Sequence, residues 1–236
     1  MRHRKTLLLL LTIALASAGL VTVFTNNQSP NSSASQTQNQ IRSSLHRIEY
    51  NFDSETVGSL PTYLQAGLTG QGIRSEWSVK QDSTAPSAPN VLAQTADEAV
   101  DYHFPYVVLV GQDFSDLNAS VSFKAVSGRI DQAAGIIFRF VDSGDYYVLR
   151  ANALEGNVIL FKYVGGVRSP IASAPVSVST GQWHSLGVVA TGDTLVGYLD
   201  GRPAISVRDS TYSQGKVGLW TKADSVTFFD NLVIEY

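Results

Sequence analysis

Three segments near the C-terminus alternate apolar and polar residues over strand lengths. They are GQWHSLGVVATGDTLVGYLDGRPAISV (181–207), GKVGLW (215–220) and VTFFDNLVIEY (226–236), and Gly or Asp residues interrupt them. A period of two places one parity of side chains on one face of a strand, and Asp200-Gly201 between two such runs closes a tight hairpin. Antiparallel strands with one apolar face need a second layer to cover it, so this ending predicts a two-sheet sandwich.

The middle of the chain extends the pattern. Strands are expected over 135–140, 146–151 and 157–163, joined by Asp142-Ser143-Gly144-Asp145 and by Glu155-Gly156, both good turn sequences. Strands joined this closely are antiparallel neighbours. One parity is expected in the core: Ile136, Phe138 and Phe140, then Tyr147, Leu149 and Ala151, then Ile159, Phe161 and Tyr163. The other parity carries Arg139, Tyr146, Arg150 and Lys162, which that register puts on one outer sheet surface. Residues 119–126 alternate cleanly, with Val121, Phe123 and Ala125 on one side and Ser120, Ser122 and Lys124 on the other. Further strands are expected at 48–52, 77–80, 91–94, 106–110 and 171–175. The Gly-, Thr- and Pro-rich stretch 58–72 reads as a long surface connection. Nothing after residue 47 has sustained helical periodicity.

The closing order is a Trp opening a strand (Trp183), a hairpin at Asp200-Gly201, a Gly-x-x-Gly-Leu-Trp strand (215–220) and a last strand containing Phe-Asp-Asn (229–231). It resembles the final strands of concanavalin A-like jelly rolls, the group of laminin-G-like, family-16 glucanase-like and 3-keto-disaccharide-hydrolase-like domains. The TAPSAPNVL stretch (84–92), a proline-bearing loop after a Trp strand, resembles the early strands of the keto-disaccharide-hydrolase-like group. The resemblance implies an all-β, antiparallel jelly-roll sandwich whose concave sheet and rim loops receive a sugar.

Composition narrows the setting. The chain contains no cysteine, which excludes disulfides and thiolate metal sites. Met1, Arg2, His3, Arg4 and Lys5 form a basic start, 7–16 is apolar, and Ala16-Ser17-Ala18 has the small-x-small form of a signal-peptidase site. Apolar character continues to Phe24, so residues 1–25 are expected to be an apolar helix serving as a cleaved signal peptide or a retained anchor. Residues 26–47, rich in Asn, Gln and Ser, are expected to be a disordered linker, and 48–236 the jelly roll. Taking Arg2, Arg4 and Lys5 from the 17 basic residues leaves 14 against 20 acidic ones, a formal charge of −6 for the exported part. That balance argues against nucleic acid and leaves membrane contact to the N-terminal segment alone. The expected partner is a glycan or glycoconjugate, and the expected state is an exported monomer.

Three kinds of chemistry are open to these residues. Sugars need an aromatic plane for their C–H face and charged or amide groups for their hydroxyls, which Tyr146 with Arg139, Arg150 and Lys162 would supply. Glycoside hydrolysis needs two carboxylates, and the Glu-x-Asp-x-x-Glu strand of family-16 glucanases does not occur in this chain. The Asp97-Glu98 to Asp101-Tyr102-His103 patch reads as a solvated loop, and Trp77, Trp183 and Trp220 as core filling. A structural Ca²⁺ near the first and last strands would use Asp53 and Asp230 as ligands, although Asp230 is equally suited to hydrogen bonding a neighbouring loop. No other cofactor is expected, because His103 and His184 lack partners at metal-ligand spacing. The residues therefore suit a non-catalytic carbohydrate-binding module, with a glycoside or 3-keto-glycoside hydrolase second and a laminin-G-like adhesion domain third.

Overall fold

The computed structural model describes residues 46–73 and 75–236, and all regular structure among them is β-strand. Eight strands form one sheet, in the order β13 (Arg202–Arg208), β12 (Thr194–Leu199), β11 (Trp183–Thr191), β6 (Leu117–Ser127), β15 (Val226–Glu235), β4 (Asn90–Gln94) and β3 (Trp77–Gln81). Its eighth strand, β1 (Arg47–Tyr50), pairs with the second half of β15. Seven strands form the other sheet: β10 (Val167–Pro175), β9 (Asn157–Val164), β8 (Asp145–Asn152), β7 (Ala133–Asp142), β14 (Lys216–Trp220), β5 (His103–Leu109) and β2 (Leu64–Gly70). All pairings are antiparallel.

The two sheets differ in how many faces they bury. In the eight-stranded sheet, β6 sends Ala119, Val121, Phe123 and Ala125 inward and leaves Ser120, Ser122 and Lys124 on the outer side, as the alternation predicts. Val121 and Phe123 pack between the sheets with Ile136, Phe138, Leu149 and Leu219. The seven-stranded sheet buries both faces. Its outer face carries a second cluster of buried residues, among them Phe104, Tyr106, Phe140, Tyr146, Phe161, Tyr163 and Trp220. Each such ring contributes roughly 2–3 kcal/mol on burial. This double burial is why β5 reads as an uninterrupted apolar run.

The second cluster exists because the sheet curls over on itself. Strands β10 and β5 have four others between them, which in a flat sheet would separate them by about 24 Å. Yet the Arg168 guanidinium of β10 lies 4.7 Å from the centre of the Phe104 ring on β5. Farther along, the Tyr146 hydroxyl of β8 donates to Thr69 Oγ1 of β2 at 3.0 Å, and Thr69 donates to the carbonyl of Ser143 at 2.6 Å.

Several sequence expectations need correction. The stretch read as a surface connection contains β2, an edge strand with only β5 as neighbour and no clean alternation. Its Gly67 is required by close approach, since a Cβ there would lie 2.3 Å from the Tyr106 ring. Strand β10 begins at Val167, not Ile171, because Gly165-Gly166, both at positive φ, turn β9 directly back. On β9 the parity is reversed. Val158 and Leu160 face the sandwich core while Ile159, Phe161 and Tyr163 face the curled side. Phe140 also changes sides, because Arg139 at φ 50° makes a bulge that breaks the register between β7 and β8. The expected leader and most of the expected linker lie outside the described residues. The last two linker positions do not: Arg47 opens β1, and His46 exchanges two 3.0 Å backbone hydrogen bonds with Tyr236.

Gly218, on the central strand β14, tests the curl. A Cβ there would lie 2.1 Å from the carbonyl oxygen of Val107, a backbone atom of the neighbouring strand. Gly218→Ala is therefore expected to destabilise the fold by about 3 kcal/mol in urea unfolding, and stability within 0.5 kcal/mol of the parent would contradict the packing described.

Candidate functional site

The floor of the curled face is aromatic. Phe104 stacks on Trp220 with ring centres 5.4 Å apart and meets Tyr163 edge-on at 5.5 Å. Tyr163 stacks in turn on Tyr146 at 4.3 Å. Two guanidinium groups flank the Phe161 ring, Arg168 at 4.6 Å and Arg150 at 5.4 Å, so each cation lies against a π face. Tyr102, in the loop before β5, donates its hydroxyl to the carbonyl of Gly166 at 3.0 Å and accepts the Arg168 N–H at 3.1 Å. It thereby ties the β9–β10 turn to the opposite side.

A chain of side-chain contacts sets the position of Arg150. Asp224 accepts the N–H groups of Arg129, Ile130 and Asp131 at 2.7–3.0 Å, which fixes the β6–β7 loop. Asp131 in that loop bonds Asn152 and Lys222. Asn152 accepts the N–H groups of Leu154 and Glu155 at 2.9 and 3.2 Å, shaping the β8–β9 turn. Glu155 then holds Arg150 Nη2 at 2.9 Å beside Asn157 Oδ1 at 2.6 Å. Gly135 and Ile159 are Arg150's neighbours across the strands.

Two atoms of this face, Arg150 Nε and Arg168 Nη1, have no hydrogen-bond partner among the described residues, whereas the Tyr163 hydroxyl and Trp220 Nε1 are served by the Tyr146 hydroxyl. All are buried. An unpaired buried donor costs about 1–3 kcal/mol, so the two guanidinium groups keep donor capacity that a water or an acceptor from outside the chain would satisfy.

Of the four residues expected on one surface, the structure keeps Tyr146 and Arg150 together and separates the other two. Lys162 pairs across β8 with Tyr147, on the sandwich side, and reaches Asp209 at 2.7 Å and Thr211 at 3.0 Å. The reversed parity of β9 is the reason. Arg139 turns away at its bulge and donates to the carbonyls of Ser115 and Tyr212 at 3.0–3.1 Å, holding two loops. Tyr146 is fully enclosed and supports the floor from below. The sequence reading missed Tyr102, Phe104, Phe161, Arg168 and Trp220. The Gly165-Gly166 turn signal would have revealed Arg168, since it starts β10 at Val167, four residues before the expected Ile171.

The acids near the face differ in access. Glu155 is held down to about 2 by its hydrogen bond from Arg150 and is exposed. Burial pushes Asp131 up, but Asn152 and Lys222 enclose it, and only 1% of it is exposed. The 97–103 patch is not a solvated loop at its end: His103 is buried, 3.6 Å from Glu98 and 3.3 Å from the carbonyl of Ala223. Trp77 fills the sandwich core, whereas half-buried Trp183 lies on the outer face of the other sheet, 5.1 Å from Lys124 Nζ.

Asp53 and Asp230, 177 positions apart in the chain, do come together. Ser87 bridges them, its N–H to Asp230 at 2.7 Å and its hydroxyl to Asp53 at 2.5 Å. The remaining oxygens accept the N–H of Asn90 at 3.0 Å and of Asn231 at 2.7 Å.

No protein-family profile matches the chain. A levanase of Bacillus subtilis (strain 168) is 30% identical over 128 residues, which are 53% of this chain and 18% of the levanase. The chain thus spans under a fifth of that relative. Among solved structures, a carbohydrate-binding module, CBM66, from Bacillus subtilis superposes with a TM-score of 0.60 at 21% identity, over 74% of this chain and 96% of that one. A Bacillus subtilis protein of unknown function with a galectin-like fold gives 0.55 at 13% identity, over 79% and 94%. A Bacillus licheniformis β-glucanase gives 0.52 at 12%, over 80% and 97%. The fold is a concanavalin A-like jelly-roll sandwich.

Burial and the charges of Asp53 and Glu49 raise the Asp230 carboxyl from 3.8 to about 6. A carboxyl that binds its proton more tightly when folded adds stability below the unfolded value and loses it as pH rises through the folded one. Thermal unfolding is expected to show a contribution on the order of 2–3 kcal/mol fading between pH 4 and 7, and Asp230→Asn to remove that slope. An identical slope in the variant would contradict the shift.

Proposed function

We propose that the protein is a non-catalytic carbohydrate-binding module whose ligand is received at the curled face by Arg168, Arg150 and Phe161. The carrying observation is the pair of guanidinium groups against Phe161, each with an unpaired buried donor. Rings for the C–H faces of a sugar and fixed donors for its oxygens are the two elements of sugar recognition. The likeness in fold to a carbohydrate-binding module and the partial sequence match to a levanase support the same reading. The acids support binding over hydrolysis: Asp131 is enclosed by Asn152 and Lys222, and the exposed one, Glu155, is held ionised by Arg150. Basic and apolar residues 1–24 followed by a polar stretch support an exported or membrane-tethered location, which fractionation of the full chain would test.

A calcium ion at Asp53 and Asp230 is a separate proposal. It rests on the raised Asp230 carboxyl, whose charge a divalent cation would relieve, and on oxygens that keep a free lone pair beside each hydrogen bond. Calcium is expected to raise the unfolding midpoint at pH 7 in the parent and not in Asp230→Asn. An unchanged midpoint in the parent would mean that Ser87, Asn90 and Asn231 alone serve the pair.

The binding proposal is tested by screening the full chain against immobilised glycans. Arg168→Ala and Arg150→Ala, with parental unfolding midpoints, are each expected to weaken the positive glycan about tenfold or more, as loss of a charged hydrogen bond implies. Arg208→Ala, which removes an exposed cation from β13, is expected to leave it unchanged. Equal effects from all three would refute the site.

A further inference from the structure

The unpaired atoms of the curled face are chemically one-sided. They are Arg150 Nε and Arg168 Nη1, and a guanidinium nitrogen can only donate. A site shaped for neutral hydroxyls would offer both senses, because each hydroxyl donates and accepts. The carboxylates beside the face already hold cations: Glu155 is on Arg150, and Asp131 is on Lys222. Arg168 has no carboxylate within ion-pair distance among the described residues, and its guanidinium is spread over the Phe104 and Phe161 rings. Arg150 spends Nη2 on Glu155 and Asn157 and keeps Nε free.

We infer that the face is built for a sugar unit carrying an anionic substituent, a carboxylate or a sulfate, held by the Arg168 and Arg150 guanidinium groups at the Phe161 ring. This rests on the proposed carbohydrate-binding role and narrows it. Two guanidinium groups already stacked on one ring are preorganised, so a planar or tetrahedral anion gains charge-assisted bonds without ordering two long side chains. Arg168, half-buried on an edge strand, gives the ligand its way in, whereas Arg150 lies fully beneath.

The test compares three ligand classes on the full chain by calorimetry. These are oligogalacturonides, the same oligomers fully methyl-esterified, and neutral fructan and β-glucan oligomers; a sulfated galactan separates sulfate from carboxylate. The acid oligomers or the sulfated galactan are expected to bind about tenfold or more tightly than the ester, to weaken with rising salt, and to lose that advantage in Arg168→Gln. Arg168→Lys keeps the charge without the planar fork and is expected to restore only part of it. Neutral oligomers binding as tightly as the anionic ones would overturn the inference and leave the binding role standing. No binding of any class would overturn both.

Discussion

The curl of the seven-stranded sheet is the constraint on which the rest depends. A sandwich of this kind needs only one buried face per sheet, and the eight-stranded sheet conforms, with Ser120, Ser122 and Lys124 on the outer side of β6. The other sheet closes on itself, and Arg168 on Phe104, Tyr102 on the β9–β10 turn and Tyr146 on Thr69 hold the closure. Tilting strands around a second set of rings turns an outer face into an interior. An interior rich in aromatic rings, with guanidinium groups at its margin, has the low dielectric in which a few fixed donors act strongly.

That curl also explains which parts were legible in the sequence. Strands β14 and β15 were read within one residue of their observed bounds, because Gly and Asp punctuate them and their alternation has a clear phase. Strand β9 was found but turned over. In Asn157–Val164 both parities are apolar, Val158 and Leu160 against Ile159, Phe161 and Tyr163, so a period of two carries no information about which side is which. Arg139 deceived for a different reason, since a left-handed residue and its bulge are decided by the loops its side chain holds. Strand β2 is legible only once Tyr106 is known to need the space of Gly67.

The site shows the same division. Arg150 and Tyr146 were predictable because they share a parity on a well-marked strand. Arg168, Phe104 and Trp220 join them from three other strands through contacts that no local pattern encodes. What the sequence reading had as four outward side chains is two pairs with different tasks. Arg139 and Lys162 fasten loops through Ser115, Tyr212 and Asp209, while Arg150 and Tyr146 belong to the curled face. Asp53 and Asp230, chosen for their positions after the first strand and within the last, are joined through Ser87.

The three tryptophans provide the most direct measurement, because each reports on a different compartment: Trp220 on the curled face, Trp77 in the sandwich core and Trp183 on the outer face of the other sheet. In a ¹⁵N-labelled protein titrated with its glycan, the indole Nε1–H resonance of Trp220 is expected to move while those of Trp77 and Trp183 stay in place. Movement of the Trp183 resonance alone, or saturation with glycan that leaves Trp220 still, would contradict the account.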